Sequence, residues 1–274
     1  MSSQIPIRLD YERPPLIEQA VSLAFAPLIG FSLVDYGLFW AEISEQFPHA
    51  SSDTPLENPT ENFDEVRSLG ISFNLLTGHP LPRGMFRNDG GELLQLQPDR
   101  FGFNWAKEGG GEYPHSEAVM TRFFELYDIF QRFVSRRALG DLDLRQCELT
   151  NLNVIPVSDF GQGFHDMTKA LHVDPLDLGL ENLVAETYVR NRQHRILGDD
   201  GKPIGRLHTS ISPVISSADN SHAFRLEFTA RSAANVTSIE QAKSFFAVAR
   251  NSINRAFEVL VADTLKAKWG KTHE

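Results

Sequence analysis

The sequence predicts an α+β fold of two tandem units, each an antiparallel sheet covered by a long helix. Three observations carry that expectation. Two segments, near 116–134 and 237–269, hold apolar residues at helical spacing over several turns. Other segments alternate apolar and polar residues with the period of two that a half-buried strand requires. The order strand, helix, several strands, long helix occurs twice, which divides the chain into an N-terminal unit, 1–140, and a C-terminal unit, 141–274, and points to an ancient duplication.

The first strand follows Pro14 and Pro15, with Ile17, Gln19, Val21, Leu23 and Phe25 on one face and Glu18, Ala20, Ser22 and Ala24 on the other. A helix comes next. Ser32 and Asp35 stand three apart, as in a variant capping box, and Leu33, Tyr36, Trp40, Ile43 and Phe47 recur at helical spacing until Pro48 stops the pattern. Residues 49–65, "HASSDTPLENPTENFDE", lack apolar periodicity and read as a mobile loop. In the hairpin that follows, Leu94 and Leu96 alternate with Gln95 and Gln97, Pro98 and Asp99 turn the chain, and Phe101, Phe103 and Trp105 share one strand face. A connector at Gly109–Gly111 leads into a helix striped by Val119, Phe123, Leu126, Phe130 and Phe133, against which Trp105 is expected to be buried. The second unit reads as a strand at 142–157, a short helical segment at 164–171 and strands at 181–197, 203–216 and 222–232. Its final helix opens on a Thr237–Glu240 capping box and runs towards Trp269.

The 274 residues, 41% of them hydrophobic, suffice for a sizeable core. A net charge of −10 opposes nonspecific attraction to nucleic acid or anionic lipid, so a nucleic-acid role needs a local basic patch. Cys147 is the single cysteine, so no intrachain disulfide forms; in an apolar strand it reads as an inert core thiol, and a cytoplasmic location is the default. The apolar run at 16–31 is interrupted by Glu18, Gln19 and Pro27, and no membrane association is expected.

Taken together, "PPLIEQAVSLAFAPL", "LLQLQPDRFGFNW", "YPHSEAVMTRFFELY", "QCELTNLNVI" and "ARNSINRAFEVL" resemble a sporadically distributed bacterial protein family of about 260 residues without an assigned activity. The most distinctive piece is the set Arg100, Asn104 and Trp105. This chain departs from the pattern at Ala106, where a basic residue is common, and at Arg250, where a histidine is common. The resemblance supplies no catalytic residues. It implies an accessory bacterial system, of the defence or toxin-associated kind.

Few motifs carry chemistry. The glycine triplet lacks the Lys and Ser/Thr pair of a phosphate loop, and "FGQGFHD" has Asp166 where a dinucleotide fingerprint needs its third glycine. His165 and His172, seven apart on a helix, would stand about 10.5 Å apart along its axis, too far for one metal. His115 and Ser116 are neighbours that diverge at a helix start and cannot share a proton. No catalytic residue, metal or cofactor is therefore expected. One stretch, "YVRNRQHRILGDDGKPIGRLH", reverses the acidic balance. With a five-residue turn, Arg190, Arg192 and His194 fall opposite Ser210, His208 and Arg206, which gathers five basic side chains on one face; a turn of two or four divides them.

The expected function is a non-enzymatic binding component that engages a protein partner or a second copy of itself, in keeping with 10% aromatic residues. Two alternatives stand beside it: a nucleic acid or phosphate ligand bound at the basic hairpin, and an enzyme whose site is assembled from distant residues.

Overall fold

The computed structural model describes residues 9–61, 63, 81–107, 113–173, 186–216 and 219–271. Nine strands form one antiparallel sheet: β1 (Leu16–Phe25), β2 (His49–Asp53), β3 (Arg83–Arg87), β4 (Glu92–Gln97), β5 (Arg100–Ala106), β6 (Leu144–Pro156), β7 (Arg190–Leu197), β8 (Pro203–Ile215) and β9 (His222–Ser232). Their order is β2-β3-β4-β5-β1-β6-β9-β8-β7. The helices are α1 (Leu33–Ile43), α2 (His115–Arg137), α3 (Ile239–Leu260) and α4 (Asp263–Lys268).

The α+β composition holds, but the division into two tandem sheet-and-helix units does not. β1 and β6 pair antiparallel from Leu16 opposite Asn153 to Phe25 opposite Leu144, so the two expected sheets are one. The long helices share a face as well: Phe123 and Phe124 of α2 meet Phe246 of α3 at ring distances of 6.1 and 6.2 Å. The physical reason lies in edges. Alternation shows that a segment is a strand but not which strand it pairs with, and separate sheets would leave the backbone edges of β1 and β6 without partners.

Local signals fared better. Ser32 donates its backbone N–H (2.9 Å) and its hydroxyl (2.7 Å) to Asp35, which opens α1 as the spacing predicts. α3 is capped one residue later than expected, by Ser238 Oγ accepting from the Gln241 N–H. The single final helix is also broken. At Val261 the chain turns extended (φ −86°, ψ 135°) to pair with Leu171, and Ala262 N–H donates to Ala170, so α4 is a separate turn that carries the chain to Trp269. Residues 49–53 form the edge strand β2 and not a mobile loop. The Gly109–Gly111 connector and residues 181–185 of an expected strand lie outside the described residues.

The helix-covered face is apolar and aromatic. Phe101 stacks on Phe130 of α2 at 5.1 Å and packs edge-on to Tyr127. Trp105, on the same face, is buried at the leading end of α2, its ring 5.1 Å from Tyr113. Gly205 of β8 allows α3 to lie close, since a Cβ there would meet the Phe245 ring at 2.6 Å.

The opposite face is polar, as an antiparallel sheet permits. Arg100, Glu148 and Arg231 form a chain of charges across β5, β6 and β9, with Glu148 accepting from Arg100 at 2.9 Å and from Arg231 at 2.6 Å. Residues 54–61 run over this face. Leu56 and Gln97 exchange hydrogen bonds of 2.7 and 3.0 Å, Asn58 donates to Asp99, and Glu61 ends the crossing inside a cage of Arg206, His208 (2.8 Å) and Arg231 (3.0 Å). Beyond it the Arg206 guanidinium covers the Phe63 ring at 4.8 Å. The Glu61 side chain is fully buried. Burial alone would raise its pKa, but the hydrogen bond and charge of His208, with Arg206 and Arg231, hold it at about 2.

Two expectations follow from this packing. Trp105→Ala should cost about 3 to 5 kcal/mol in urea unfolding, because the indole leaves a cavity under α2. Glu61→Ala should cost about 3 kcal/mol at neutral pH, since it removes the buried carboxylate shared by Arg206, His208 and Arg231. The folded-state pKa of Glu61 lies below its ordinary 4.5, so its contribution is complete above that value and is lost as pH falls towards about 2. Unfolding curves of the wild type and Glu61→Gln should therefore converge at the acid end and separate at neutral pH.

Candidate functional site

The five basic residues of the β7–β8 hairpin do not form one cluster. The turn between Leu197 and Pro203 has the five residues that would gather them, but a bulge follows: Leu197 faces Pro203 while Ile196 faces Gly205, leaving Ile204 as the extra residue. One residue of slip moves every pair. Arg190, Arg192 and His194 stand opposite Ile211, Thr209 and Leu207, on the helix side of the sheet, whereas Arg206 and His208 point to the open face and hold Glu61.

Arg100, Asn104 and Trp105 also divide by pleat. Arg100 donates to Ser22 (2.8 Å), Asn58 (3.2 Å) and Glu148, and Asn104 accepts from Gln95 (2.7 Å) and donates to Glu18, so both are engaged by neighbours on the open face. Trp105 faces the helices and backs a cavity.

That cavity, of about 560 Å³, lies where α2 begins. Its floor is the end of β1 and β6, with Gln19 and Asn151 directly opposite each other and Gln19 donating to Asn151 Oδ1 at 2.8 Å. One wall is Tyr113, His115, Ser116 and Glu117; the other is Arg250, Ile253, Asn254 and Phe257, the inward stripe of α3. Leu9–Glu12 and Lys107 also line it. Tyr113 hydroxyl lies 3.4 Å from Gln19 Oε1, and burial pushes its pKa above the ordinary tyrosine value. His115 adopts φ 65°, a left-handed backbone that non-glycine residues take only when their surroundings impose it. Trp105 packs behind Tyr113 at the cavity wall.

The motif search missed this site because its residues lie up to 248 positions apart (Leu9 to Phe257). One signal was legible. Gln19 stands on the apolar face of the first strand, among Val21, Leu23 and Phe25, and a polar residue in a core pattern is a local inconsistency that marks a site. Glu61 gave no such signal.

A second surface is the outward face of α1. Asp35 and Tyr36, Phe39 and Ile43 point inward, while Leu33 (61% exposed), Val34 (65%) and Leu38 (40%) point outward beside Ile29 (99%). The helix has two acidic side chains, and both are paired with α2: Asp35 with Arg137 at 3.2 Å and Glu42 with Arg136.

Cys147 is buried on the helix-covered face, and burial pushes its thiol up to about 12. Among the described residues no group of three or more His, Cys, Asp or Glu is placed to hold a metal, and no helix is long and apolar enough to cross a membrane. Compared with known proteins, the chain matches no family model, no curated protein and no solved structure.

Proposed function

We infer that this protein is a non-enzymatic binding component that docks a protein partner, and that the outward face of α1 is the docking surface. The observation that carries this reading is a helix apolar on both sides. A helix of that kind is stable in water only when something covers its second face, and exposed patches of contiguous apolar side chains mark interaction sites. Gly37 lies between Leu33, Val34 and Leu38 with open space above it, which leaves room for close approach of a partner backbone. Such a partner fits the accessory bacterial system that the family resemblance implies. The nucleic-acid reading has less support, because the hairpin bulge separates the basic side chains it relied on.

A second copy of the chain is the first partner to test. Sedimentation velocity over a wide concentration range should show reversible dimerisation, and Leu33→Glu combined with Leu38→Glu should abolish it. The melting temperature should change little, because Leu33 is 61% and Leu38 40% exposed. A chain that stays monomeric removes self-association, and the same double variant then tests any candidate partner by loss of binding.

A further inference from the structure

Among the described residues β7 is the last strand of the sheet, with β8 as its one neighbour, so its outer backbone edge is open to pairing. We propose that this edge takes up an extended acidic segment of a partner protein by strand addition, with Asp or Glu at alternate positions of that segment.

The register makes the case. Arg190, Arg192 and His194 occupy every second position of β7 and turn to the helix side of the sheet, about 6.6 Å apart along the strand. In an added strand, the residues that turn to the same side recur at the same spacing and stand beside this row, where carboxylates pair with it across the strands. Arg192 and His194 are exposed and Arg190 is half-buried, and neither arginine forms an ion pair among the described residues. On the other side of the strand Asn191 and Gln193 are uncharged, and Arg195 donates to the Phe63 carbonyl. The demand for alternating acids therefore comes from one side of the strand.

The opposite edge of the sheet differs. β2 has five residues, and its ends are engaged within the chain, His49 with Asp89 and Asp53 with Arg83. β7 has eight. Val189 and Leu197, which flank its basic row, are 62% and 56% exposed and offer apolar contact at both ends of an added strand. The row also selects its partner. A second copy of β7 would set arginine against arginine, and a neutral strand would leave the row unmatched, whereas an acidic strand gains both backbone bonds and charge pairs. No residue of α1 takes part, so this edge is a surface separate from the apolar docking face.

Isothermal titration calorimetry on the full chain, with a soluble peptide as long as β7 in which glutamate alternates with threonine, tests the proposal. Saturable one-to-one binding is expected, weakened about tenfold or more when glutamine replaces glutamate and again in Arg190→Glu/Arg192→Glu. Two further peptides carry N-methyl groups on one or the other alternate set of backbone amides. Strand addition uses one set only, so one of these peptides should bind and the other should not. Hydrogen exchange should slow at the β7 amides when the glutamate peptide is bound. Leu33→Glu/Leu38→Glu should bind the peptide as the wild type does, which separates this result from the outcome at α1. The peptide series keeps the test decisive should the arginine variant fail to fold. No saturable binding of the glutamate peptide, equal affinity for the glutamine form, or equal binding of both N-methylated forms overturns the proposal. Tighter binding of oligothymidine at the same arginines overturns it too, in favour of a nucleic-acid strand.

Discussion

Everything in this molecule hangs on the antiparallel pairing of β1 with β6. Because each is the innermost strand of its half, their union hides the two backbone edges that would otherwise be exposed at the centre. Outward from that seam the strands run β1, β5, β4, β3, β2 on one side and β6, β9, β8, β7 on the other. With the seam closed, α2 and α3 must share one face, and their aromatic side chains form a common core. The seam's register also sets Gln19 against Asn151, so the floor of the cavity is a consequence of the same pairing.

The face of the sheet turned away from the helices is polar, and its charged side chains pair with one another. Alternating arginines and glutamates, from Arg100 through Glu148 and Arg231 to Glu61 and Arg206, neutralise one another across four strands and a crossing segment. Such a lattice contributes through its buried members. Exposed pairs add little, but removing Glu61 would take away the buried carboxylate that Arg206, His208 and Arg231 share. The basic residues of β7 acquire a structural meaning here too. β7 is an edge strand, and Arg190, Arg192, His194 and Arg195 line an edge that would otherwise be open to pairing with another chain.

The two candidate surfaces sit at opposite ends of α2. At its C-terminal end Arg136 and Arg137 neutralise the acids of α1, which leaves the outer side of α1 apolar. At its N-terminal end the chain enters through Pro114 and the strained His115 and forms one wall of the cavity. One helix thus bounds both the proposed docking face and the cavity, and both stand on the same sheet. The two differ in composition: the outer side of α1 presents Leu and Val, whereas carboxamides, aromatic rings and charged side chains line the cavity.

The sequence by itself determined most of the elements, though not β2, β3 or the break at Val261. Period-two alternation in "HAFRLEFTAR" and the stripe of α2 reflect which side of each element meets water, and that information is local. Capping at Ser32 was legible for the same reason, because donor and acceptor lie three residues apart. Gln19, polar on an apolar strand face, announced that something unusual lay there, though not what stood opposite it. Only the tertiary structure decided which strands pair, and so whether there are two sheets or one. It decided the hairpin register as well, where a single bulged residue at Ile204 sends Arg206 and His208 to one face and Arg190, Arg192 and His194 to the other. It alone brought Glu61 from a polar loop into a buried cage, and Tyr11, Gln19, Asn151 and Phe257 around one cavity. The reason is the same in each case: periodicity records the environment of a residue, whereas the identity of its neighbour depends on chain closure over long separations, which no local pattern encodes.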